Sequence, residues 1–244
     1  MNAIVKPFGV DNVKLETEVK EILLRTHNVK SFRFLRPSRF EYKPGQFMFV
    51  TIKIGDREAK KHFTISSSPT ESGLLEFTKK LTGHEFSNAL DALKVGDWVQ
   101  IDGPYGKFTL DEDLSKIGML SGGIGITPLR SMIKYSTDMK LDCDITLLYA
   151  NRTEEDIVFR EELEWFQQKR GNLKVVFTLT GADENWTGYS RRIDKEMILK
   201  EIPDYKKRVF FTCGPPGLVT SMEKLLKEVG VSQDRIRKEY FPGY

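Results

Sequence analysis

The chain has 244 residues, with 38 lysines and arginines against 35 aspartates and glutamates and a formal net charge of +3. This length favours two domains of ordinary size, and the near balance of charge excludes the concentrated basic face of a nucleic-acid-binding protein. The two cysteines, Cys143 and Cys213, exclude a disulfide framework, a four-thiolate zinc site and the ligands of an iron–sulfur cluster, so redox chemistry would need another cofactor.

The first half of the chain, up to about Leu110, has the pattern of an antiparallel β domain. Short runs rich in β-branched and aromatic residues are separated by turn signals such as "KPGQ" and "TESG". The runs are "FMFVTIKI", "KHFTISSS", "LLEFTKKL" and "DWVQIDG". One helix is predicted within "GHEFSNALDALKVGD", stopping at Gly96. This spacing of strands predicts a sandwich or a barrel.

From Ile117 onward, strands alternate with helices. The buried strands are "IGMLS", "DITLLYA", "LKVVFTLT" and "RVFFTCG", with helices expected around 127–139, 160–170, 194–201 and 217–229. This alternation predicts a doubly wound parallel sheet. The acidic segment "DEDLSK" marks the boundary, which gives domains 1–112 and 113–244.

The segment "SGGIGITP" places three glycines between a strand and a helix. Such a turn lets a phosphate or a nicotinamide ring approach the backbone, and the free N–H groups of the helix favour an anion. It lacks the full G-x-G-x-x-G fingerprint. The alternative is a tight turn that needs glycine and binds nothing.

The segment "FTCGPPG" ends the last predicted strand, at the same edge of the sheet as "SGGIGITP". Ligands of open α/β sheets bind outside this edge. Because turn residues follow Cys213 at once, its thiol is expected at the rim, where it could touch a nicotinamide. The alternative is a buried cysteine that only packs.

Two glycine-bearing segments of the first half complete the pattern. In "KKLTGHEFSNAL", lysines and small hydroxyl residues surround the start of a helix, a pattern that suits the binding of a phosphate. The alternative is an ordinary capped helix with solvated lysines. In "GPYGKFTL", an aromatic residue between glycines closes the β domain. His62 and His84 lack further metal ligands, and no G-x-S-x-G elbow is present, so neither a metal site nor a serine hydrolase is predicted.

The order of these five motifs resembles the ferredoxin–NADP reductase superfamily over nearly the whole chain. The resemblance implies a six-stranded antiparallel flavin-binding barrel followed by a nicotinamide-binding domain. It implies FAD rather than FMN, NAD(P)H as substrate, and hydride transfer between the two rings.

The family's motifs can be matched residue by residue. The R-x-Y-[ST] flavin motif falls on Lys61, His62, Phe63 and Thr64, with Ser66 as a further flavin contact. The diphosphate loop matches Gly83, Phe86 and Ser87, with Lys80 beside it. The nicotinamide loop matches Gly122, Gly123, Gly125, Thr127 and Pro128, and the C-G-P motif matches Cys213, Gly214 and Pro215. The family's terminal acidic and aromatic residues match Glu239 and Phe241, with Tyr240 and Tyr244 as alternatives for stacking on the flavin.

The resemblance also implies roles in hydride transfer. Thr64 is expected to lie near the flavin N5, and Cys213 is expected beside the nicotinamide. Glu239 is expected to help move a proton or to set the flavin potential. Two departures from the family matter. Lys61 replaces arginine and Phe63 replaces tyrosine, so a flavin is expected to be held less tightly.

The choice of nicotinamide and the electron partner stay open from the residues. Asp183 and Glu184 favour a ribose hydroxyl, and hence NADH, whereas Arg191 and Arg192 favour a 2′-phosphate. Without ligands for an iron–sulfur cluster, the chain is expected to serve a separate ferredoxin or flavodoxin, or a larger redox complex. No signal peptide or spanning segment is recognised, so a soluble cytoplasmic protein is expected.

Two functions of other classes remain as alternatives. One is a flavin-free nicotinamide dehydrogenase, which would leave "KHFTISSSP" without a role. The other is a non-catalytic adaptor that binds flavin but does not oxidise NAD(P)H.

Overall fold

A computed structural model describes residues 12–241, which form a β domain followed by an α/β domain. The β domain has two antiparallel sheets, ordered β1-β7-β4-β5 and β2-β3-β6. Its elements are β1 (Val13–Glu18), β2 (Glu21–Thr26), β3 (Val29–Leu35), β4 (Phe47–Ile54), β5 (Arg57–Thr64), β6 (Leu74–Lys80), helix α1 (Glu85–Ala92) and β7 (Trp98–Tyr105).

Strands β1 and β2 are the two halves of one bent strand. The amide of Val19 donates to Asp97 O (3.0 Å) beside the first sheet, and the amide of Lys20 donates to Arg33 O (2.8 Å) in the second. Strands that change sheets in this way make the corners of a barrel. Counted as one strand, they give the predicted six-stranded antiparallel barrel, which is confirmed. Its interior is apolar, with Phe32, Phe34 and Phe77 fully buried.

The second domain contains a five-stranded sheet with the order β10-β9-β8-β11-β12, parallel throughout. Its strands are β8 (Lys116–Gly122), β9 (Asp144–Asn151), β10 (Leu173–Leu179), β11 (Val209–Gly214) and β12 (Ile236–Tyr240). The helices are α2 (Ile126–Asp138), α3 (Arg160–Lys169), α4 (Lys195–Glu201) and α5 (Pro216–Glu228).

Separate apolar cores cover the two faces of this sheet. Helices α2 and α3 contribute Met132 and Phe166 to one core, while α4 and α5 contribute Ile198 and Leu226 to the other. The predicted doubly wound sheet is therefore confirmed. Strand β12, in the segment "IRKEY", was not predicted.

The strand order places a topological switch point between β8 and β11. The chain leaves β8 for one face of the sheet and leaves β11 for the other, so their carboxyl ends open a crevice between the two turns. Ligands of open α/β sheets bind at such a point. The motifs "SGGIGITP" and "CGPPG" are these two turns.

Strand β5 differs from its predicted bounds. It begins at Arg57 and ends at Thr64, so Ser66, Ser67 and Ser68 lie beyond the strand and not within it. At the junction of the domains, β7 ends at Tyr105 and β8 begins at Lys116, and the predicted boundary falls between them. In the described part of the chain, no helix has both the length and the apolar character needed to cross a membrane.

Candidate active site

A cleft of about 1040 Å³ lies where the two domains meet. The β domain supplies most of its wall, and the α/β domain supplies residues from the start of α2 and from the end of β12. The lining residues are Phe47, Phe49, Lys60, Lys61, His62, Phe63, Thr64, Thr78, Lys79, Thr82, His84, Glu85, Phe86, Ser87, Thr127, Glu239, Tyr240 and Phe241. One concave site is thus built from both halves of the sequence, with a volume typical of ligand pockets.

The end of strand β5 forms one wall of the cleft. Phe63 stacks on Phe77 with ring centroids 4.6 Å apart and is joined by Phe86 at 6.0 Å, so it belongs both to the barrel core and to the cleft. Thr64, the last residue of the strand, also lines the cleft. Within residues 12–241 its hydroxyl has no hydrogen-bond partner, which leaves it available to a ligand.

Two lysines reach the same wall from neighbouring strands. Lys61 lies on β5 and Lys79 on β6, and both line the cleft. Burial, together with the nearby charge of Lys61, lowers the pKa of Lys79 to about 8. An anion placed here would relieve that repulsion.

Lys80 was predicted beside the diphosphate loop, but it is not among the lining residues. Lys79, its neighbour on β6, lines the cleft instead. Both lysines of "KKLTGHEFSNAL" are candidates for a phosphate from the sequence, and Lys79 is the one that lines the cleft.

The start of helix α1 forms the far end of the cleft. His84 is its N-cap and makes no side-chain cap hydrogen bond, so the first N–H groups of the helix lack the usual oxygen acceptor. Ser87 accepts from the Thr82 amide over 2.9 Å and closes the turn, in which Gly83 has a φ of +75° that favours glycine. An anion could be held by this helix start.

Ser66, a predicted flavin contact, is fully buried and is not among the residues that line the cleft. Its hydroxyl donates to Glu76 Oε1 over 2.9 Å and lies 2.8 Å from the Thr78 hydroxyl, while its amide donates to Glu76 O over 2.7 Å. Burial acts to raise the pKa of Glu76, but the charges of Arg25, Arg130 and Arg33 outweigh it and lower that pKa. The hydroxyl and the amide of Ser66 are thus engaged in a buried network, and its contact with a flavin stays a prediction.

The nicotinamide loop of the sequence analysis is a tight turn between β8 and α2. Residues Gly123–Gly125 form a single turn of 3-10 helix, and a Cβ at Gly125 would lie 2.3 Å from Cys213 O. Only glycine allows this approach of the two switch-point turns. Thr127 lines the cleft and donates to Ile124 O over 3.2 Å, and Pro128 is buried in the first turns of α2.

Cys213 is fully buried, which contradicts its expected position at the rim. Its thiol donates to Gly125 O over 2.9 Å, and the neighbouring strand β12 places Glu239 opposite it. Burial, reinforced by the charge of Glu239, raises the pKa of the thiol well above its usual value. Cys213 therefore supports the Gly125 turn as a neutral thiol, and direct contact with a nicotinamide stays a prediction.

The end of the described chain folds back over the switch point. Gly214 has a φ of +140°, Pro215 is the N-cap of α5, and the Phe241 amide donates to Gly214 O over 2.9 Å. Phe241 and Tyr240 both line the cleft. Tyr244, the third candidate for stacking, lies outside the described residues.

Glu239 lines the cleft, and one oxygen of its carboxylate lacks a hydrogen-bond partner in the described structure. This oxygen, Oε2, is buried. Burial raises the pKa of this carboxyl to about 7. A group that titrates near neutral pH beside the cleft can hold or release a proton there.

These features fit FAD better than a small ligand. The cleft has lysines and an open helix start at one end, aromatic rings along its wall, and the hydroxyl of Thr64 and the carboxyl of Glu239 at the other. Thr64 and Glu239, which each have a polar atom without a partner in the described structure, both line this cleft. FAD, when bound, accepts two electrons and passes them on singly.

Comparison with known domain families gives two matches. Residues 16–110 match the model described as "Oxidoreductase FAD-binding domain", and residues 119–224 match "Oxidoreductase NAD-binding domain". The expected cofactors, FAD and NAD(P)H, are thereby confirmed at the level of the domains.

Among curated relatives, the glycine betaine monooxygenase reductase subunit of Pseudomonas aeruginosa (strain UCBPP-PA14) is 32% identical over 228 residues. The match covers 91% of this chain but only 62% of that protein, so the chain spans about three fifths of its length. NADH-cytochrome b5 reductase 1 of Dictyostelium discoideum is 30% identical over 226 residues, covering 90% of this chain and 79% of that protein.

Two solved structures share the fold. The cytochrome b5 reductase domain of Ulva prolifera nitrate reductase has a TM-score of 0.83 and 26% identity, covering 93% of this chain and 97% of that one. A ferredoxin NADP+ reductase from Neisseria gonorrhoeae has a TM-score of 0.82 and 21% identity, covering 93% and 98%. Together with the two domain matches, these relatives show that the chain belongs to the ferredoxin–NADP reductase superfamily of FAD- and NAD(P)-binding oxidoreductases.

Proposed function

We propose that the chain is an NAD(P)H-dependent flavoprotein reductase. The residues of the cleft would hold FAD and a reduced nicotinamide, and FAD, when bound, would supply the chemistry that converts a hydride into single electrons for a separate carrier. The observation that carries this proposal is the shared cleft, in which Thr64 from the β domain and Thr127 and Glu239 from the α/β domain line one volume.

The β domain would hold FAD by charge and by stacking. Lys61, Lys79 and the start of helix α1 are placed for its diphosphate, with Ser87 fixing the turn before them. Phe63 and Phe86 would supply aromatic surface for the flavin, and the Thr64 hydroxyl would be available to hydrogen-bond it.

The α/β domain would hold the nicotinamide at the switch point. The Gly125 turn and the Gly214-Pro215 turn approach each other closely. Thr127 lies beside the Gly125 turn and lines the cleft. Phe241 occupies part of the same cleft, so it has to move aside for the nicotinamide ring.

NADH is the better candidate for the nicotinamide substrate. The Arg191 guanidinium lies 3.1 Å from carboxylate oxygens of both Asp194 and Glu196, which neutralise it before any 2′-phosphate arrives. Asp183 and Glu184 remain exposed in the same connection. NADH in the name of the Dictyostelium relative agrees. A kcat/KM for NADPH equal to or above that for NADH would contradict this choice.

The electron acceptor is proposed to be a small one-electron carrier protein or a redox complex. A ferredoxin or a flavodoxin fits the single-electron chemistry of a reduced flavin. The relatives' names point to reductases of an oxygenase and of cytochrome b5, which are acceptors of this same kind. Stopped-flow mixing of the NADH-reduced protein with ferredoxin, flavodoxin and cytochrome b5 would rank these carriers by rate.

The decisive experiment is the visible spectrum of the purified protein, followed by anaerobic addition of NADH or NADPH. Oxidised-flavin bands that bleach with one equivalent of nicotinamide support the proposal. Protein that is colourless and stays apo with added FAD supports a flavin-free dehydrogenase. Bound flavin that neither nicotinamide reduces supports an adaptor.

A further inference from the structure

Arg130, on helix α2, connects the two domains through one buried guanidinium. Only 3% of Arg130 is exposed. Its Nη1 donates to Ser66 O over 3.0 Å and to Glu71 Oε2 over 2.5 Å, both in the β domain, and its Nε donates to Glu162 Oε2 over 2.9 Å on helix α3. The Arg130 guanidinium therefore bonds to residues of both domains.

Neighbouring contacts extend this connection along α2. The Ser131 hydroxyl donates to Ser67 O over 2.6 Å, and the Thr70 hydroxyl donates to Asp138 over 2.5 Å. The ring of Phe159 lies between two guanidiniums, 5.0 Å from that of Arg25 in the β domain and 5.5 Å from that of Arg130. Helix α2 is thus fixed to residues 66–71 from its first turns to its end.

The position of Arg130 in the chain gives this contact its importance. Thr127, which lines the cleft, lies three residues earlier on the same helix, and Thr64 lies two residues before Ser66. One guanidinium therefore holds both the turn that would carry the hydride donor and the strand end that would face the acceptor. A misplacement of about 1 Å between reacting atoms can cost about 100-fold in rate.

The chemistry of the contact requires arginine. Its planar fork bonds two carboxylates and a carbonyl at once, whereas a lysine ammonium is a point charge that cannot meet all three. Burial acts to lower the pKa of Arg130, but Glu162 and Glu71 outweigh it and raise that pKa, so the cation persists at any working pH.

We propose that Arg130, through Glu71 and Ser66, is a positioning residue that sets the separation between the nicotinamide turn and the flavin strand. This inference rests on the proposed function. It assigns a role in the reaction to a residue that touches neither cofactor.

The test compares matched substitutions. Arg208 is equally buried and also bonds two carboxylates, Asp144 over 2.9 Å and Asp204 over 2.6 Å, but both belong to the α/β domain. Arg130→Lys and Glu71→Gln are expected to slow anaerobic hydride transfer about 10- to 100-fold. Flavin content and the Kd for NADH are expected to stay within about twofold, because the binding residues themselves are unchanged.

Arg208→Lys serves as the control, since it weakens a buried ion pair whose partners lie in the same domain. It is expected to lower the Tm and to leave hydride transfer within about twofold. If Arg130→Lys and Glu71→Gln slow the transfer no more than this control, Arg130 is merely structural and the inference is wrong. Glu71→Gln keeps the test valid if Arg130→Lys does not fold.

Amide hydrogen exchange of the apoproteins gives a second readout, independent of catalysis. Faster exchange at residues 66–71 and 126–131 in Arg130→Lys and Glu71→Gln, but not in Arg208→Lys, is the expected result. Unchanged exchange there would overturn the inference. A wild-type flavin that NADH does not reduce would contradict the proposed function instead, and hydrogen exchange would still decide whether Arg130 holds the domains together.

Discussion

The Cys213 thiol donates a hydrogen bond to Gly125 O over 2.9 Å and so joins the two turns of the switch point. The approach is so close that Gly125 has no room for a side chain. The stability of the Gly125 turn therefore depends on a fully buried thiol, which a ligand cannot reach without movement of the chain around it.

Cys213→Ala is expected to loosen this turn. The lost hydrogen bond is worth about 1 kcal/mol, and single-turnover hydride transfer should slow severalfold while flavin binding is unchanged. Stopped-flow reduction by NADH measures the rate. Cys143→Ala removes the other buried thiol, which lies before β9 at the opposite edge of the sheet, and should leave the rate unaltered. Normal hydride transfer in Cys213→Ala would remove any role of this residue in positioning.

Glu239 is expected to make the apoprotein less stable as the pH rises. Because burial raises its folded-state pKa to about 7 from 4.5, the folded protein holds a proton that the unfolded chain releases. The contribution of Glu239 to the free energy of unfolding is therefore highest below pH 4.5. It falls by at most about 3 kcal/mol as the pH rises to about 7. Glu239→Gln should abolish that decline, as measured by urea unfolding between pH 4.5 and 8.

Glu223→Gln provides a control of opposite sign. Hydrogen bonds from Lys227 and Lys238 lower the pKa of Glu223 to about 2, so its contribution is present above pH 4.5 and is lost as the pH falls. If the free energies of unfolding of the two variants depend on pH in the same way, Glu239 does not titrate as a buried carboxyl with a raised pKa.

Binding of FAD is expected to take up a proton at Lys79. Burial and the charge of Lys61 lower its pKa to about 8, and an adjacent diphosphate would raise that pKa again. Affinity for FAD should therefore fall as the pH rises above 8. Calorimetric titration at pH 8.5, in buffers of different ionisation enthalpy, measures the uptake. Lys79→Met should abolish it, while Lys80→Met, at a residue that does not line the cleft, should not.

Two substitutions toward the family motif are expected to hold flavin more tightly. Lys61→Arg supplies a bidentate donor for phosphate, and Phe63→Tyr adds a hydroxyl to a ring that already lines the cleft. Each should slow the loss of FAD about fivefold, equivalent to about 1 kcal/mol. Lys53→Arg, in β4 and away from the cleft, is the control. Equal rates of flavin loss in all three variants would show that Lys61 and Phe63 do not limit retention.

The sequence predicted the fold well because each domain repeats a strong local pattern. Glycine-rich turns after buried strands identified both sides of the switch point. Strand β12 was missed because it has one buried residue, Ile236, and lacks the long apolar run of its neighbours. The bent strand formed by β1 and β2 depends on pairing with two different sheets, which no local pattern reports.

Side-chain positions were harder to predict where tertiary contacts decide them. Of the two lysines in "KKLTGHEFSNAL", Lys79 lines the cleft and Lys80 does not, which the sequence alone does not distinguish. Cys213 is buried because β12 and the Gly125 turn cover it. Ser66 is hydrogen-bonded within a buried network. Arg130 forms an ion pair with Glu71 only because the two domains pack against each other.

Anaerobic reduction of the purified protein by one equivalent of NADH, followed by its visible spectrum, tests whether the chain is a flavoprotein reductase. Bound FAD is expected, with oxidised bands that bleach in a single turnover and return when a one-electron acceptor is added. Flavin that stays oxidised with both NADH and NADPH, or protein that cannot bind FAD, would contradict the proposed function.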